Sequence, residues 1–306
     1  MNQYKIAVLI PCLNEEKSIE KVIKDFQKEL PEADIYVYDN NSTDNTKQIA
    51  VKNNAIVRKE NRRGKGNVVR SMLREVEADI YILVDGDNTY PANAVHSMIK
   101  EVIENKYDLV TGDRLTNGSY FKENQRNFHE FGNKLTRQLI NYIFNSDIKD
   151  IMTGYRVFTK KFAVCFPVLS DEFEIETEMT IFALDKKFKI KEIPIEYKDR
   201  EEGSFSKLNT FKDGSKVIKT IFMLFKNNKP FKFFTAISLI SAIISIFIGI
   251  PVISEFLQTH YVSKVPSAIL AASIMIIAII SFFVGIILDT QAKYAKESFE
   301  CELKKL

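Results

Sequence analysis

Two long segments that carry almost no charge limit what this chain can fold into. They run from Phe233 to Ile253 and from Val265 to Leu288. A helix needs about 20 apolar residues to cross the hydrocarbon core of a bilayer, and each segment reaches that length. We therefore predict a two-helix transmembrane hairpin over residues 233–289. The chain before it, from Lys5 to Lys232, is charged and periodic and has the pattern of a folded domain.

Basic residues flank the hairpin on its outer sides. They are Lys226, Lys229 and Lys232 before the first segment, and Lys293, Lys296, Lys304 and Lys305 after the second. The link 254–264 holds one Lys and one Glu. Because cytoplasmic flanks of membrane helices are enriched in Lys and Arg, both termini are expected inside, with residues 290–306 as a basic cytosolic tail. This predicts an integral membrane protein, of the plasma membrane if the source is a prokaryote, with its large domain in the cytosol.

The overall charge argues against nucleic acid as a partner. The formal net charge is +3, from 43 basic and 40 acidic residues. A nucleic-acid-binding domain usually carries a marked excess of Lys and Arg. The three cysteines, Cys12, Cys165 and Cys301, lack the paired spacing of metal or redox motifs, which fits a reduced cytosolic compartment.

Short apolar runs alternate with helical periodicity through the first part of the chain. The runs Lys5–Ile10, Asp34–Tyr38, Ala55–Arg58 and the one starting at Ile80 predict strands, and Ile19–Leu30, the stretch after Asp44 to Asn53, and Val68–Val76 predict helices. Such alternation is typical of an α/β fold with a parallel, doubly wound sheet. Ligands of these sheets bind outside the carboxyl ends of the strands.

Acidic residues follow three of the predicted strands. Glu15, Asp39 and Asp85 each lie just past a strand end. One such residue is more often a helix cap than a ligand contact. Three at equivalent positions, beside the basic loop Gly64-Lys65-Gly66, predict a single crevice at the carboxyl edge of the sheet.

The turn Asp85-Gly86-Asp87 ends the apolar run that starts at Ile80. Two carboxylates separated by one glycine can converge on a hard divalent cation, which keeps part of its shell for water and phosphate oxygens. This predicts a Mg²⁺ or Mn²⁺ site that binds a diphosphate. The alternative is an acidic turn whose carboxylates are solvated or cap the next helix, and the spacing alone does not choose between the two.

Several ordered motifs resemble the family 2 inverting glycosyltransferases of the GT-A fold, a Rossmann-like fold of nucleotide-diphospho-sugar transferases. More narrowly, they resemble polyprenyl- and dolichyl-phosphate sugar synthases of the dolichyl-phosphate mannose synthase type. The motifs are Pro11 with Asn14-Glu15, Asp39 with Ser42 and Asp44, Gly64-Lys65-Gly66, Asp85-Gly86-Asp87, Thr153–Phe158, Glu174-Ile175-Glu176, Glu192–Ile195 and Arg200–Leu208. They span nearly all of the predicted cytosolic domain, residues 1–208.

The resemblance implies roles for residues at matching positions. It places the nucleoside against Pro11, Leu13, Glu15 and Asp39, Lys65 near the base or diphosphate, and the metal at Asp85 and Asp87 around Gly86. It further implies that Arg114, Arg126, Arg200, Ser206 and Lys207 meet phosphates of the donor or acceptor. Two positions depart from the family pattern. Asn40 stands where the family often has a second aspartate, and Thr89 stands where several relatives place a metal-binding Gln.

The implied reaction transfers one sugar from a nucleotide diphosphate to polyprenyl phosphate, undecaprenyl or dolichyl, with inversion at C1. By the same resemblance, the form Asp-Gly-Asp-Asn-Thr-Tyr-Pro implies a UDP-sugar rather than GDP-mannose. A phosphate monoester is largely deprotonated at neutral pH, since its second pKa is near ~6, so a strong general base is dispensable. Asp150 is the candidate for orienting the acceptor or assisting proton removal; capping of the turn before the next strand is the alternative. Arg200 and Lys207 are candidates for positioning the incoming phosphate, against a solvated basic loop.

An apolar stripe at helical spacing precedes the first membrane segment. Its members are Val217, Ile218, Ile221, Phe222, Leu224 and Phe225, with lysines at 212, 216, 219 and 226 elsewhere on the surface. The pattern predicts a juxtamembrane amphipathic helix over residues 209–232 that lies at the headgroups, and a core helix packed on the sheet is the alternative. Small residues in the two membrane segments are compatible with helix packing within one subunit or in a homo-oligomer.

Two other functions remain to be weighed against single-sugar transfer. A processive polysaccharide synthase of the same fold resembles this chain up to the metal motif, but those enzymes use a Gln-x-x-Arg-Trp element, and this chain contains no Trp. A catalytically silent, membrane-anchored nucleotide-sugar binder would be favoured by loss of a metal aspartate or of the basic loop at Arg200. Both features are present.

Overall fold

The structure is a computed structural model that describes residues 4–117, 127–172, 174–198, 222–223 and 225–305, with side chains described from 134 onward in the second range. The chain forms two compact units, Met1–Ile221 and Phe222–Leu306. The predicted domain boundary at residue 208 lies outside the described residues. The same holds for residues 209–221 of the predicted amphipathic helix.

The first unit is built on a sheet of seven strands in the described part of the chain. They are β1 (Ile6–Cys12), β2 (Asp34–Asp39), β3 (Ile56–Lys59), β4 (Ile80–Leu83), β5 (Leu109–Asp113), β6 (Arg156–Thr159) and β7 (Ile190–Pro194). Their order across the sheet is β3-β2-β1-β4-β6-β5-β7. The first four are mutually parallel, as the sequence predicts.

The second half of the sheet differs from the predicted parallel arrangement. Strand β6 enters between β4 and β5 and runs antiparallel to both, while β7 is parallel to β5. The sequence of β6, four residues long, does not indicate whether the strand is parallel or antiparallel, because side chains alternate between the two faces of the sheet in both cases. The α/β class is confirmed, and the sheet is mixed.

Helices cover the faces of this sheet. They are α1 (Ile19–Glu29), α2 (Thr46–Lys52), α3 (Lys65–Glu75), α4 (Val95–Ile103), α5 (Asn127–Phe144), α6 (Lys160–Cys165) and α7 (Ile175–Asp185), with a 3₁₀ turn at Ala92–Ala94 before α4. Residues Ala7 to Ile10 of β1 are fully buried, as expected for a central strand covered on both faces. Helix α1 buries Ile19, Val22, Ile23 and Phe26, which recur at helical spacing.

Helix α3 starts earlier than its apolar pattern predicts. The pattern begins at Val68, whereas the helix begins at Lys65, and Gly64 precedes it with φ +121°. A positive φ of this size suits glycine, which has no Cβ. The loop glycine therefore belongs to the helix start, and Lys65 is the first residue of α3.

The second unit contains two helices long and apolar enough to cross a membrane, α8 (Pro230–Thr259) and α9 (Val265–Leu303). They pack on each other through small residues: a Cβ built on Gly249 would lie 3.7 Å from the Ala271 Cβ, and the Ser245 hydroxyl donates to the Ala271 carbonyl at 2.7 Å. Helix α9 continues to Leu303, so most of the predicted tail at 290–306 is helical.

Candidate active site

The carboxyl ends of β2, β1 and β4 form one continuous edge. In the parallel register Cys12 of β1 lies beside Asp39, the last residue of β2, and Leu9 of β1 lies beside Leu83, the last residue of β4. Glu15 and Asp85 follow β1 and β4 by a few residues. The structure therefore places Glu15, Asp39 and Asp85 at one edge of the first unit. Pro11 and Leu13, both partly exposed, lie at the end of β1 on that edge.

Glu15 and Asp39 are both buried, at 9% and 4% exposed. The backbone N–H of Glu15 donates to the Thr46 hydroxyl at 2.8 Å, and the N–H of Ser42 donates to Asp39 Oδ1 at 3.1 Å. The first bond ties the segment after β1 to the start of α2, and the second closes the turn after β2. Two buried carboxylates thus lie in a firmly held part of the edge.

The turn after β4 is held by contacts with β1 and α1. A Cβ on Gly86 would lie 2.8 Å from the Cys12 sulfur, so the turn requires a glycine there. The Ser18 hydroxyl donates to the Gly86 carbonyl at 2.7 Å. The close approach fixes the positions of the two aspartates on either side of the glycine.

Asp87 is buried and held by Thr89. The Thr89 hydroxyl donates to Asp87 Oδ1 at 2.7 Å, and the Thr89 N–H donates to the same oxygen at 3.3 Å. Thr89 itself is 1% exposed. At this departure from the family pattern, the chain therefore has a hydroxyl that orients the second aspartate.

Lys65 links this turn to α7. Its ammonium donates to Asp85 Oδ1 at 2.5 Å and also pairs with Glu176. Burial lowers the pKa of Lys65, but the charges of Asp85 and Glu176 outweigh that effect and hold the pKa above its usual range. The ammonium is therefore charged at neutral pH, and it compensates two carboxylates at once.

The acidic residues at the start of α7 have distinct partners, which the sequence pattern did not reveal. Glu174, Glu176 and Glu178 lie at the start of this helix, where acidic side chains also interact favourably with the helix dipole. Glu176 pairs with Lys65, whereas Glu178 accepts the N–H groups of Leu169 and Ser170, each at 2.9 Å. The available signal was the Glu174-Ile175-Glu176 motif, but it does not identify a partner 111 residues away.

Asn40 has a structural reason to be an amide. Its Nδ2 donates to the carbonyls of Glu60 at 3.0 Å and Arg62 at 2.8 Å, and its Oδ1 accepts the N–H of Gly64 at 2.8 Å. An aspartate lacks the donors for the first two bonds. The departure from the family pattern therefore joins the end of β2 to the loop that carries Lys65.

Glu60 orders the same loop. It accepts the N–H of Arg62 at 2.7 Å, both ends of the Arg62 guanidinium at 3.1 Å, and the Ser71 hydroxyl. Hydrogen bonds from Arg62 lower the pKa of Glu60 to about 2, against the opposing effect of burial. The carboxylate is thus ionised and bridges the loop to α3.

Arg114 and Asp150 are brought together as a buried pair. Arg114 contacts the carboxylate through Nε at 2.7 Å and Nη2 at 2.9 Å, and its guanidinium lies 5.6 Å from the centre of the Tyr197 ring. The N–H of Asp150 donates to Glu192 at 2.8 Å, and burial raises the pKa of Glu192. The two predicted site residues are therefore engaged with each other in this structure.

Four predicted site residues lie outside the described residues. They are Arg126, Arg200, Ser206 and Lys207, all assigned to phosphate contacts.

The residues at the edge suit a divalent ion that is shared with a ligand. Among the described residues, His, Cys, Asp and Glu form no group of three or more that could hold a metal. Mg²⁺ in phosphate-binding sites commonly uses one or two carboxylates, with waters and phosphate oxygens completing its shell. Asp85 and Asp87, two carboxylates on one rigid turn, fit that requirement.

The mixed sheet, with its acidic turn after β4 and buried carboxylates along one edge, defines a GT-A fold domain of the nucleotide-diphospho-sugar transferases. A family profile described as glycosyl transferase family 2 matches residues 7–165. The chain belongs to glycosyl transferase family 2, and it is a glycosyltransferase by that membership.

Two relatives in Haloferax volcanii match most of the chain. Glycosyltransferase AglJ is 28% identical over 275 residues, which is 88% of this chain and 88% of that protein. A dolichyl-phosphate hexose transferase is 26% identical over 216 residues, which is 71% of this chain and 92% of that protein.

Solved structures share the fold. Glucosyl-3-phosphoglycerate synthase of Mycobacterium tuberculosis, in complex with Mn²⁺, uridine diphosphate and glucosyl-3-phosphoglycerate, aligns with a TM-score of 0.60. The alignment covers 73% of this chain and 80% of that one, at 20% identity. The GT-A prediction is confirmed by this likeness.

Proposed function

We propose that the protein transfers a single sugar from a nucleotide-diphosphate donor, with a UDP-sugar favoured, to polyprenyl phosphate at the cytosolic membrane face. The transfer inverts the configuration at C1 and uses Mg²⁺ or Mn²⁺. The product would serve cell-envelope glycan synthesis or protein glycosylation. One observation supports the proposal. In this family 2 chain Glu15, Asp39, Asp85 and Asp87 lie at one edge of the sheet, and two helices are long and apolar enough to cross a membrane.

The donor would lie along the edge formed by β2, β1 and β4. Pro11 and Leu13 offer apolar surface to a base, and Asp39 is a buried carboxylate that can accept its N–H groups. Glu15 lies beside them after β1. Asp85 and Asp87 lie in the turn after β4, the next strand across the sheet, where the diphosphate would follow the nucleoside. The order of the strands thus matches the order of the parts of a nucleotide sugar.

The reaction needs charge stabilisation more than proton transfer. An oxygen of the lipid phosphate attacks C1, the bond from C1 to the diphosphate breaks, and its electron pair leaves with the nucleotide. Asp85 and Asp87 would hold a divalent ion, which would supply Lewis-acid stabilisation of that developing charge. The lipid phosphate carries its own negative charge, so the attacking oxygen needs no strong base.

Basic side chains would position the phosphates. Lys65 is charged and lies next to Asp85. Arg126, Arg200, Ser206 and Lys207 are proposed to meet the acceptor or donor phosphates, Arg by paired hydrogen bonds and Lys as a point charge. Arg114 is also proposed to meet a phosphate, and Asp150, its partner, is proposed to orient the acceptor or to assist proton removal.

Names of similar proteins support the choice of substrates. The Haloferax relative is a dolichyl-phosphate hexose transferase, which supports a polyprenyl phosphate acceptor here. The Mycobacterium enzyme was solved with uridine diphosphate and Mn²⁺, and a related complex holds Mg²⁺, which supports a UDP-sugar and either ion.

We propose a membrane arrangement from the sequence. Residues 1–208 form the catalytic domain, 209–232 an amphipathic segment, 233–289 the transmembrane hairpin and 290–306 the basic end, with both termini cytosolic. Cysteine-accessibility labelling of the link 254–264 and of the termini tests this orientation. Labelling of the termini from outside intact cells would contradict it.

A membrane assay tests the reaction. Membranes containing the protein are incubated with polyprenyl phosphate and a panel of radiolabelled nucleotide sugars, with and without EDTA. We expect one donor to give a chloroform-soluble product that is labile to mild acid, and EDTA or Asp87→Ala to abolish it. The matched control is Asp25→Ala, which removes an exposed aspartate of α1. Equal lipid labelling by Asp87→Ala would refute the metal role of Asp87.

A second variant separates binding from transfer. In Arg200→Ala we expect nucleotide binding to persist while transfer to the lipid collapses, since Arg200 is assigned to the acceptor phosphate. Unchanged transfer would mean that the loop around Arg200 is only a solvated basic segment.

A further inference from the structure

Lys65 lies between two carboxylates that come from different elements. Its ammonium pairs with Asp85 after β4 and with Glu176 of α7. The side chains of Lys65 and Glu176 are 9% and 7% exposed, while that of Asp85 is 28% exposed. The ammonium is therefore held in the interior, next to the more exposed of its two partners.

The backbone around Lys65 is fixed, so the ammonium has a defined position. A Cβ on Gly64 would overlap the Asp171 carbonyl oxygen, and a Cβ on Gly66 would overlap that of Ser170. The N–H of Asn67 donates to the Asp171 carbonyl at 3.2 Å. The start of α3 thus packs directly on the chain at 170–171, with a glycine on each side of Lys65.

We propose that Lys65 is a positioning residue whose ammonium stays paired with the Asp85 carboxylate until a nucleotide diphosphate binds. The site therefore binds a divalent ion weakly in the absence of nucleotide and tightly together with it. The proposal rests on the proposed function, because it assumes that Asp85 and Asp87 hold the ion.

The competition follows from charge. An ammonium and a divalent ion repel each other, and both require the Asp85 carboxylate. A charge within about 4–6 Å changes the proton affinity of a carboxylate by about tenfold or more, and we expect a comparable effect on its affinity for a metal ion. The phosphate oxygens of a nucleotide add negative charge and ligands, which compensates the second cation.

Glu176 makes the exchange feasible. A buried ammonium that lost its only partner would carry a large energetic penalty. Here the ammonium keeps Glu176 when Asp85 turns to the metal ion. Lys65 therefore has Glu176 as an alternative partner, close to the edge of the sheet where the nucleotide is proposed to bind.

Mn²⁺ binding to the full-length protein in detergent tests the inference, with free Mn²⁺ measured by electron paramagnetic resonance. We expect the wild type to bind Mn²⁺ about tenfold or more tightly with UDP or GDP than without. In the double variant Lys65→Met with Glu176→Gln, we expect Mn²⁺ binding without nucleotide to tighten by about tenfold, because the competing cation is gone and no second carboxylate is left unpaired.

Glu176→Gln alone is expected to act in the opposite direction. Lys65 then has Asp85 as its remaining charged partner of the two, so Mn²⁺ binding should weaken. Lys65→Arg should retain the dependence on nucleotide, and Lys47→Met, which replaces an exposed lysine of α2, should behave as the wild type. Thermal unfolding of each variant shows whether it is folded.

The outcomes separate this inference from the proposed function. If neither nucleotide brings Mn²⁺ to the wild type, the proposed function fails. If the wild type shows the nucleotide dependence but the double variant binds Mn²⁺ no more tightly without nucleotide, only the role of Lys65 is overturned. Should the double variant not fold, unchanged or tighter Mn²⁺ binding by Glu176→Gln overturns it instead.

Discussion

The guanidinium of Arg114 meets the carboxylate of Asp150 at two points, with Nε 2.7 Å from Oδ2 and Nη2 2.9 Å from Oδ1. The N–H of Arg114 also donates to Oδ2, at 3.1 Å. Both side chains are nearly buried. A two-point pair of this kind has fixed geometry as well as charge complementarity, so it locks the segment after β5 to the segment before β6.

Breaking this pair is expected to destabilise the first unit. Arg114→Ala or Asp150→Ala leaves one buried charge without its partner, which typically costs about 3–5 kcal/mol. In the double variant Arg114→Ala with Asp150→Ala we expect a smaller loss than the sum of the two. A double-mutant cycle on the free energy of unfolding measures this coupling, and strict additivity would show that the two residues do not stabilise each other.

Thr89→Val is expected to disturb the metal site without disturbing the core. The change removes the hydroxyl that donates to Asp87 Oδ1, and it keeps the shape of the side chain. Because misplaced catalytic groups can cost about 100-fold in rate, we expect transfer to fall by about 10- to 100-fold and to need more metal ion. Transfer measured against Mn²⁺ concentration checks this. Thr89→Ser keeps the hydroxyl and is the matched control, and equal rates for the valine and serine variants would contradict the role of the bond.

Asn40→Asp tests why this chain departs from the family pattern. The aspartate cannot donate to the carbonyls of Glu60 and Arg62, and it brings a negative charge close to both. Loss of partners for buried polar groups costs about 1–3 kcal/mol, so we expect a loss of that size in the free energy of unfolding. The control Asn54→Asp makes the same change at an exposed asparagine. A neutral effect of Asn40→Asp would mean that the loop does not depend on the amide.

The carboxyl edge could be predicted from the sequence because its causes are local. The apolar runs before Glu15, Asp39 and Asp85 define strand ends, and parallel strands bring their carboxyl ends to one edge of the sheet. The observed register places β2 and β4 on either side of β1. Local residue patterns were sufficient for this half of the fold.

The rest depended on long-range packing that a single sequence does not encode in any local pattern. Lys65 and Glu176 are 111 residues apart, and Arg114 and Asp150 are 36 apart. Each pair becomes visible when the sheet order is known, and that order includes the antiparallel β6, whose direction has no local signature. The helix start at Lys65 was missed for a similar reason. It depends on Gly64 and Gly66 packing against residues 170–171, not on apolar periodicity.

The pH dependence of stability is expected to report on Glu60. Its pKa is about 2 in the folded protein, mainly through hydrogen bonds from Arg62, compared with an ordinary value of 4.5. A lowered carboxyl pKa stabilises the fold above about pH 4.5, and this contribution is lost as the pH falls towards 2. The full difference in pKa corresponds to roughly 3 kcal/mol of the free energy of unfolding, and solvent screening at the exposed Arg62 side chain makes the contribution smaller than this.

Glu60→Gln provides the comparison. The difference in free energy of unfolding between wild type and variant should be constant above about pH 5 and should shrink as the pH falls below 4.5. Unfolding measured at several pH values checks the sign. A difference that grows on acidification would show that the ionised carboxylate of Glu60 is not stabilising.

Gly154→Ala is expected to displace Asp85 and so to test the geometry of the acidic turn. A Cβ at this position would lie 2.9 Å from Asp85 Cγ and would overlap Oδ2, while the Gly154 N–H is held by the Tyr90 hydroxyl at 2.8 Å. Since the backbone of residue 154 is fixed in this way, the Asp85 carboxylate must move, and its ion pair with Lys65 is disturbed. A shift of about 1 Å in a catalytic group can cost about 100-fold, so transfer to polyprenyl phosphate should fall by about that factor. Gly249→Ala is the matched control, because its added methyl makes an ordinary 3.7 Å contact with Ala271. Wild-type transfer by Gly154→Ala would mean that the position of Asp85 against Gly154 is unimportant for the reaction.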